Sequence, residues 1–514
     1  MLSLLLLLAA QGPFGFGDLT YTAQIQVTGG RGFGRQVVSV GDIDHDGVDD
    51  FAACSYEASG FDVYVYSGAS LGLRFRLPAS FTDRTAPTPF HFVDGGEDLN
   101  QDGTPDILVR NYGGHAYSGV DGSPIRDYYL GSGTYSSSIA FVGDIDGDAV
   151  SDVFGGGEYE AYLVSGATGV LIHKFQAPNV SGYYFSDYGA NVDGLGDIDG
   201  DAIPDLLVGG YSYGHLLVYS GATYAILHDV VTGHGTGSAA GIGDYDGDGY
   251  GDFATTAGGA IADQVIVMSG TSGAVIEHFR DYVMSGRDCY SILGLSDFDL
   301  DGHRDLAIGA IGRIYVISGR SAEIYLLPES PNNAPWYGFS ICEIQGRGAD
   351  SLPDLVVGAP ASAYGTNLPG SVEVWDSFWN PILSSTALTV SASQGGSVSF
   401  AFDFPYAERY RTYSLLASLS TGATFLQDQW VPLGAGSLLT RSFLGRYPAY
   451  LSAGTGVLDT EGNGVSHLVA GPGDLAQVVG RTLWFACASY KGSRPGYYLG
   501  PGLTSAAVPL VVLP

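Results

Sequence analysis

The sequence predicts an all-β chain, a seven-bladed β-propeller followed by a small β-sandwich. Three observations carry this expectation. An acidic phrase of nine residues recurs at near-constant spacing, the same short apolar runs flank each copy, and the composition favours strands and turns. The chain has 514 residues, too many for one ordinary hydrophobic core, so several units or a repeat array are required. Its 78 Gly and 34 Tyr, with short β-branched and aromatic runs broken by Gly, Asp and Ser, read as strands joined by turns.

The phrase first stands at 42-DIDHDGVDD-50. Further copies begin at Asp98, Asp144, Asp197, Asp244 and Asp297, at successive offsets of 56, 46, 53, 47 and 53 residues. A degraded seventh copy, 346-GRGADSLPD-354, follows after another 49 and keeps only Asp350 and Asp354 of the acidic positions. An apolar run follows each copy, as in 51-FAACSY-56, 206-LLVGG-210 and 355-LVVGAP-360. A second strand then ends in a Ser-Gly turn, as in 62-DVYVYSG-68, 216-LLVYSG-221 and 314-IYVISG-319. A third follows the turn, as in 169-GVLIHKF-175 and 274-AVIEHF-279.

With the strand that precedes the acidic phrase, each unit holds four short strands. One such sheet cannot bury both faces alone, whereas seven in succession can pack face to face around an axis. A ring must also close. The segment 19-LTYTAQIQV-27 precedes the first copy and resembles the last strand of a unit, so it is expected to complete the seventh blade.

Carboxylates crowded this closely repel unless a cation joins them. An EF-hand loop would need a bidentate Glu at position 12. That position holds Ala53, Val109, Gly155, Val208, Thr255 or Ile308, so the EF-hand reading fails in every copy. Position 9 is instead always Asp. Plain Asp-Gly turns would account for the Asp and Gly content, but not for alternation at positions 1, 3, 5 and 9 in six copies. Gly47, Gly103, Gly249 and Gly302 stand at position 6, where a sharp turn is needed. Ala149 and Ala202 depart from that rule. A left-handed Ala costs roughly 1–2 kcal/mol, so Gly147 and Gly200 are expected to relocate the turn in those two copies.

The pattern resembles FG-GAP repeats, as in the seven-bladed propeller of integrin α chains and in bacterial VCBS-type secreted proteins. Phe33-Gly34 lies eight residues before the first loop, and Tyr188-Gly189 and Tyr337-Gly338 hold the same offset in the fourth and seventh copies. The GAP triplet is literal at Gly358-Ala359-Pro360, and the resemblance covers residues 17–378. It implies one calcium ion per blade, bound by positions 1, 3, 5 and 9. In the first three blades these are Asp42, Asp44, Asp46 and Asp50; Asp98, Asn100, Asp102 and Asp106; and Asp144, Asp146, Asp148 and Asp152. In the next three they are Asp197, Asp199, Asp201 and Asp205; Asp244, Asp246, Asp248 and Asp252; and Asp297, Asp299, Asp301 and Asp305. Position 7 would add backbone carbonyls from Val48, Thr104, Val150, Ile203, Tyr250 and His303. The seventh copy, with Gly346 and Gly348 at positions 1 and 3, is expected to hold no ion.

The formal net charge is −33, which argues against nucleic acid as a partner, because phosphate binding needs basic patches. Six calcium ions would offset 12 of those charges. Residues 1–12, an apolar run ending in small residues, read as a secretory signal peptide. No later segment is long and apolar enough for a transmembrane helix. Cys54, Cys289, Cys342 and Cys487 form no CxxC pair, which leaves either one or two disulfides or small buried side chains. After a linker at 379–386, residues 387–514 read as a β-sandwich, with period-two alternation in 396-GSVSFAFDF-404.

Tyr56, Tyr112, Tyr159, Tyr183, Tyr184, Tyr211, Tyr213, Trp336, Tyr337 and Tyr364 fall in connections away from the acidic loops. They are expected on the opposite face, where exposed aromatics suit sugar stacking or protein contact. The pattern GxSxG occurs at 68-GASLG-72 but overlaps the Ser-Gly turn between strands, so it is not read as a nucleophile elbow. No HExxH or P-loop motif is present. The function expected is a secreted, calcium-stabilised binding protein for an extracellular protein or glycan, as in adhesion or surface assembly. An extracellular enzyme acting on polysaccharide or phospholipid, and a pure scaffold, are the alternatives.

Overall fold

In the computed structural model, the first four-stranded sheet comprises Val37–Gly41, Asp50–Glu57, Gly60–Tyr66 and Leu73–Ala79, hydrogen-bonded in chain order. Five more sheets repeat this order, starting at Val93–Glu97, Ile139–Phe141, Asn191–Gly196, Thr236–Gly243 and Cys289–Leu295. The seventh contains Ser340–Ile344, Asp354–Ala359 and Ser371–Asn380, and its fourth strand is Phe16–Ile25 from the start of the chain. Phe16–Ile25 runs antiparallel to Ser371–Asn380, with Phe16 opposite Asn380 and Ile25 opposite Val372. The strand expected to close the ring therefore does so.

The structure describes residues 16–514 except 28–31, 58–59, 80–92, 111–112, 132–137, 158, 179–187, 211–214, 232–235, 258–263, 280–288, 299–302, 311, 320–323, 327–329, 331, 333, 335, 348–351, 361–369, 381–382, 404–410, 427–428, 434–437, 439–450, 453–454, 459–462 and 491–507. The signal-peptide expectation at 1–12 lies outside the described residues. No helix among the described residues is long and apolar enough to cross a membrane.

The first strand of each blade touches the first strand of the next, and Ser340–Ile344 touches Val37–Gly41, so these strands form a closed inner ring. Apolar clusters fill the spaces between consecutive blades. Val40, Val63, Ile107 and Val109 join blades one and two, and Phe154, Leu163, Val208 and Leu217 join three and four. Phe33, Tyr64, Val356 and Val374 join seven back to one. Burying these faces against each other is worth roughly 25 cal/mol per Å² of apolar surface, which is why no blade stands alone. Acidic side chains also stitch the inner ring. Asp94 accepts the Phe141 N–H at 2.8 Å, Asp193 the Gly241 N–H at 2.9 Å and Glu343 the Ser296 N–H at 2.7 Å, each from an adjacent blade.

The aromatics of the FG pairs are core anchors. Phe33, Tyr188 and Tyr337 are each 0% exposed. Tyr337 was expected on an exposed binding face, and the structure corrects that: its ring packs 6.0 Å from Trp375 between blades six and seven. A Cβ on Gly34 would lie 2.2 Å from the Ser371 carbonyl oxygen, and its φ is +83°, so no other residue fits there.

The C-terminal unit packs a four-stranded sheet, containing Leu383–Ser385, Gly396–Asp403, Asn463–Ala470 and Leu451–Ser452, beside a five-stranded one. The second sheet contains Thr389–Ser391, Val508–Leu513, Thr482–Tyr490, Thr412–Ser418 and Thr455–Val457. Val398, Phe400 and Phe402 point inward at alternate positions, and Phe400 meets Phe485 with ring centroids 4.6 Å apart. Residues Leu383–Ser385, counted above in the connection 379–386, form an edge strand paired with Phe400–Phe402, and Trp379 and Asn380 pair with Gly17 and Phe16. Cys54, Cys342 and Cys487 are buried and Cys289 is half-buried, with no disulfide among the described residues, so the small-hydrophobe alternative describes them.

Candidate metal centres in the blade loops

Each acidic loop joins the innermost strand of a blade to the second, and in blades one to five a single hydrogen-bond scheme builds it. The carboxylate at position 1 gathers the loop's N–H groups. In blade four, Asp197 Oδ1 accepts from Gly200 at 2.7 Å and Asp201 at 3.1 Å, and its Oδ2 accepts from Ala202 at 2.8 Å. Position 3 accepts from position 5, as Asp199 Oδ1 does from Asp201 at 3.1 Å. Position 5 accepts from position 7, as Asp201 Oδ1 does from Ile203 at 2.9 Å.

The same links recur through Asp42 and Asp46, through Asp98, Asn100 and Asp102, through Asp144, Asp146 and Asp148, and through Asp244, Asp246 and Asp248. The N–H groups of Val48, Thr104, Val150, Ile203 and Tyr250 are thus donors to the position 5 carboxylates. In blade six Asp297, His303 and Asp305 are described, while Asp299 and Asp301 lie outside the described residues.

In blades one to five, two residues per loop take left-handed backbone conformations. Position 4 does so at His45, Gln101, Gly147, Gly200 and Gly247, and position 6 at Gly47, Gly103, Ala149, Ala202 and Gly249. The expected relocation of the turn in blades three and four does not occur. Ala149 and Ala202 stay left-handed at φ 68° and 72° because their N–H groups are held by the position 1 carboxylate.

Position 9 is fully buried: Asp50, Asp106, Asp152, Asp205, Asp252 and Asp305 are each 0% exposed. Its two oxygens tie the loop to the Ser-Gly turn. Asp205 Oδ2 accepts the Ile198 N–H and its Oδ1 the Gly221 N–H, both at 2.9 Å. A Cβ on Gly221 would stand 1.9 Å from the Pro204 carbonyl oxygen, which explains why Gly recurs after Ser in this turn. Burial pushes the Asp50, Asp106, Asp152 and Asp252 carboxyls up to about 6, against the opposing pull of these N–H donors, and it also raises Asp205.

The result is convergence of like charges. One oxygen each from Asp42, Asp44 and Asp50 lies within 4.8 Å of the others, as do oxygens from Asp144, Asp146 and Asp152, from Asp197, Asp199 and Asp205, and from Asp244, Asp246 and Asp248. At that spacing each charged pair opposes folding by about 3 kcal/mol near a protein surface. Asp44 Oδ1 is also buried without a hydrogen-bond partner. These groups can hold a metal ion, and an all-oxygen donor set suits a hard divalent cation.

The seventh loop carries a basic side chain instead of the first two carboxylates. Arg347, at position 2, donates from Nε to Asp376 at 2.7 Å, and its Nη1 bonds the Gly68 carbonyl of blade one. Asp49 and Gln345 exchange further bonds across the same seam, at 2.9 and 3.1 Å. Asp354 keeps the position 9 task, with Oδ1 accepting the Ser377 N–H at 2.6 Å. Arg347 and Asp376 were not anticipated from the sequence. The one visible signal was a basic residue inside an acidic phrase.

Elsewhere, Tyr159 is 52% exposed, and Trp336 is half-buried against Tyr290 and Phe339. Tyr112, Tyr183, Tyr184, Tyr211, Tyr213 and Tyr364 lie outside the described residues, and Tyr56 pairs with Phe61 near a strand end. Ser70 sits in the turn between two antiparallel strands, where its N–H donates to Ser67 Oγ at 3.2 Å.

Comparison with known proteins agrees with this architecture. No family model matches the chain. Integrin alpha-5 of Xenopus laevis is 26% identical over 215 residues, covering 36% of this chain and 20% of the relative. Integrin alpha-7 of Homo sapiens is 27% identical over 157 residues, covering 26% and 13%. Integrin alpha pat-2 of Caenorhabditis elegans is 27% identical over 209 residues, covering 32% and 17%. The matched region therefore spans at most about a fifth of these relatives. A crystal structure of BBS1N in complex with ARL6DN superposes with a TM-score of 0.50 at 11% identity, over 70% of this chain and 96% of that one, which is a likeness of fold. The chain thus carries a seven-bladed propeller, similar in part of its sequence to integrin α chains.

Proposed function

We propose that this is a secreted, calcium-stabilised propeller that recognises an extracellular protein or glycan, as in adhesion or surface assembly. The observation that carries the reading is the repeated convergence of carboxylates at the same loop positions of a propeller similar to integrin α chains. Calcium suits these loops better than magnesium, because its six to eight oxygen ligands tolerate flexible geometry. In this reading six ions bind, one per blade from one to six, with blade six using Asp297, Asp299, Asp301 and Asp305 as the others use their counterparts. The position 7 carbonyls complete each shell, and the ions hold loops that would otherwise repel.

Residues 17–378 are the recognition unit in this reading. The ligand face is the one opposite the loops, where Tyr129, 73% exposed, follows the outer strand Pro124–Tyr128 of blade two and the blade-three hairpin carries Tyr159. Such aromatics offer flat apolar area with a polar tip. The test is a glycan and matrix-protein binding screen in calcium and in EGTA. Selective, calcium-dependent capture of one ligand class, weakened by Tyr159→Ala, supports the proposal. Absence of any protein or glycan ligand in either condition overturns it.

A further inference from the structure

The described acidic loops share one backbone scheme, but the loop of blade one differs in its surroundings. Arg74, the second residue of the outer strand Leu73–Ala79, places Nη1 2.6 Å from Asp44 Oδ2. Leu73 pairs with Tyr66, as Pro124, Leu171, Ile226 and Val275 pair with the third strands of blades two to five. The residues matching Arg74 are therefore Ile125, Ile172, Leu227 and Ile276, and none of these carries charge. Blade one alone among these five brings a guanidinium to the position 3 carboxylate.

Asp44 is only half committed. Its Oδ2 holds Arg74, its Oδ1 is buried without a hydrogen-bond partner, and one of its oxygens lies in the cluster with Asp42 and Asp50. A divalent ion entering that cluster meets a fixed positive charge on the carboxylate it must share. Arg74 also has somewhere to go. A cavity of about 530 Å³ adjoins it, lined by Ser67, Ser70 and Phe75 of blade one and by Asp121 in the neighbouring turn of blade two. Asp121 accepts the Ser123 N–H at 2.9 Å on Oδ1, so it is held in place as a second acidic partner for a displaced guanidinium.

We propose that Arg74 is a tethered counter-cation that makes the first-blade loop the weak, exchangeable calcium site of the propeller. Without calcium the guanidinium neutralises Asp44. With calcium it moves into the adjoining cavity beside Asp121. This inference rests on the reading of the loops as calcium sites, and it assigns blade one a response to changing calcium concentration that the other loops lack.

The experiment is calorimetric titration of the full chain with calcium alone, on wild type, Arg74→Met, Arg74→Lys and Asp121→Asn. Wild type is expected to show one site weaker than the rest by roughly tenfold or more, the size of one charge pair near a surface. Arg74→Met tightens that site by a similar factor without changing the number of sites. Arg74→Lys keeps it weak, and Asp121→Asn weakens it further. Asp46→Ala abolishes it, which places it in blade one. If calcium binds but all sites are alike and Arg74→Met changes nothing, the role of Arg74 is overturned and the calcium reading stands. If neither wild type nor Arg74→Met binds calcium, both fall.

Discussion

Blades four and seven close the same corner of the propeller in two ways. In blade four, Asp197, Asp199 and Asp205 converge within 4.8 Å, and among the described residues no basic side chain pairs with them. In blade seven, Gly346 and Gly348 stand where the first two carboxylates would be. There Arg347 supplies the positive charge, bonding Asp376 and reaching the Gly68 carbonyl of blade one. Yet Asp354 persists, 1% exposed, accepting the Ser377 N–H within the strand Ser371–Asn380 where Asp205 accepts that of Gly221 in the Ser-Gly turn. The difference separates two jobs that the repeat runs together. Position 9 is architectural and survives where the cluster is lost, whereas positions 1, 3 and 5 are, in the proposed function, the ones that answer to a cation. A guanidinium placed at the ring seam also crosses to the next blade, which a loop-bound ion does not need to do.

The largest expected effect breaks or confirms this division at once. A site filled at a hundred times its Kd contributes about 2.7 kcal/mol, and several such sites act together. EGTA should therefore lower the calorimetric Tm by more than about 10 °C, and excess calcium should restore it. An unchanged melt would mean that the six loops, like the seventh, need no ion.

The next test swaps the cations one at a time. Asp199→Ala should lower Tm in calcium but have little effect, or even a slight stabilising one, in EGTA, because it removes a repelling charge. Arg347→Ala should cost about 1.5–3 kcal/mol, the value of charge-assisted hydrogen bonds, and cost the same in both conditions. Parallel melts of the two variants with and without calcium check this. A calcium-dependent loss in Arg347→Ala would erase the distinction between the two kinds of loop.

How far the sequence discloses this arrangement depends on the range of each interaction. The ring, its seven sheets and the closing strand were legible because a local phrase repeats and the flanking runs repeat with it. The scheme within each loop is equally local, since its bonds span two to five residues. What escaped is long-range. Arg347 meets Asp376 29 residues away and Gly68 279 away, and no spacing rule connects them. The glycine of the Ser-Gly turn was seen but not explained, because its constraint is the carbonyl of Pro204 in the acidic loop, 17 residues earlier in the chain. Tyr337 was assigned to a binding face because a connection residue is normally exposed, but the FG aromatic folds back into the space between blades.

A smaller effect sharpens the account of position 9. Burial pushes the Asp354 carboxyl up to about 7, with Asp376 adding to the rise and Arg347 opposing it, and its Oδ2 is buried without a partner. The folded state thus holds this proton more tightly than the unfolded chain does. Its contribution to stability is fully present below the ordinary Asp value and is lost as pH rises through about 7. Asp354→Asn removes the charge and keeps an acceptor for Ser377. It should match wild type near pH 4 and exceed it by about 1–3 kcal/mol at pH 8, the cost of one unsatisfied buried group. Melts across pH in EGTA follow this, and a constant difference at all pH values would count against it.

The smallest effect concerns strain that the loops retain. Blades three and four hold Ala149 and Ala202 left-handed at position 6, where blades one, two and five have Gly. The bond to Asp144 or Asp197 fixes the conformation, so each Ala carries a penalty of roughly 1–2 kcal/mol. Glycine removes the penalty but adds about 0.5–1 kcal/mol of chain entropy in the unfolded state. Ala202→Gly should therefore stabilise the protein by about 0.5–1 kcal/mol. The reverse change, Gly249→Ala, should cost a similar amount and no more, because nothing lies within 4 Å of the added methyl. A loss much larger than that would mean that position 6 in the blade-five loop is set by steric contact as well as by φ. It would place the tolerance for Ala in blades three and four in their neighbours rather than in their own backbone.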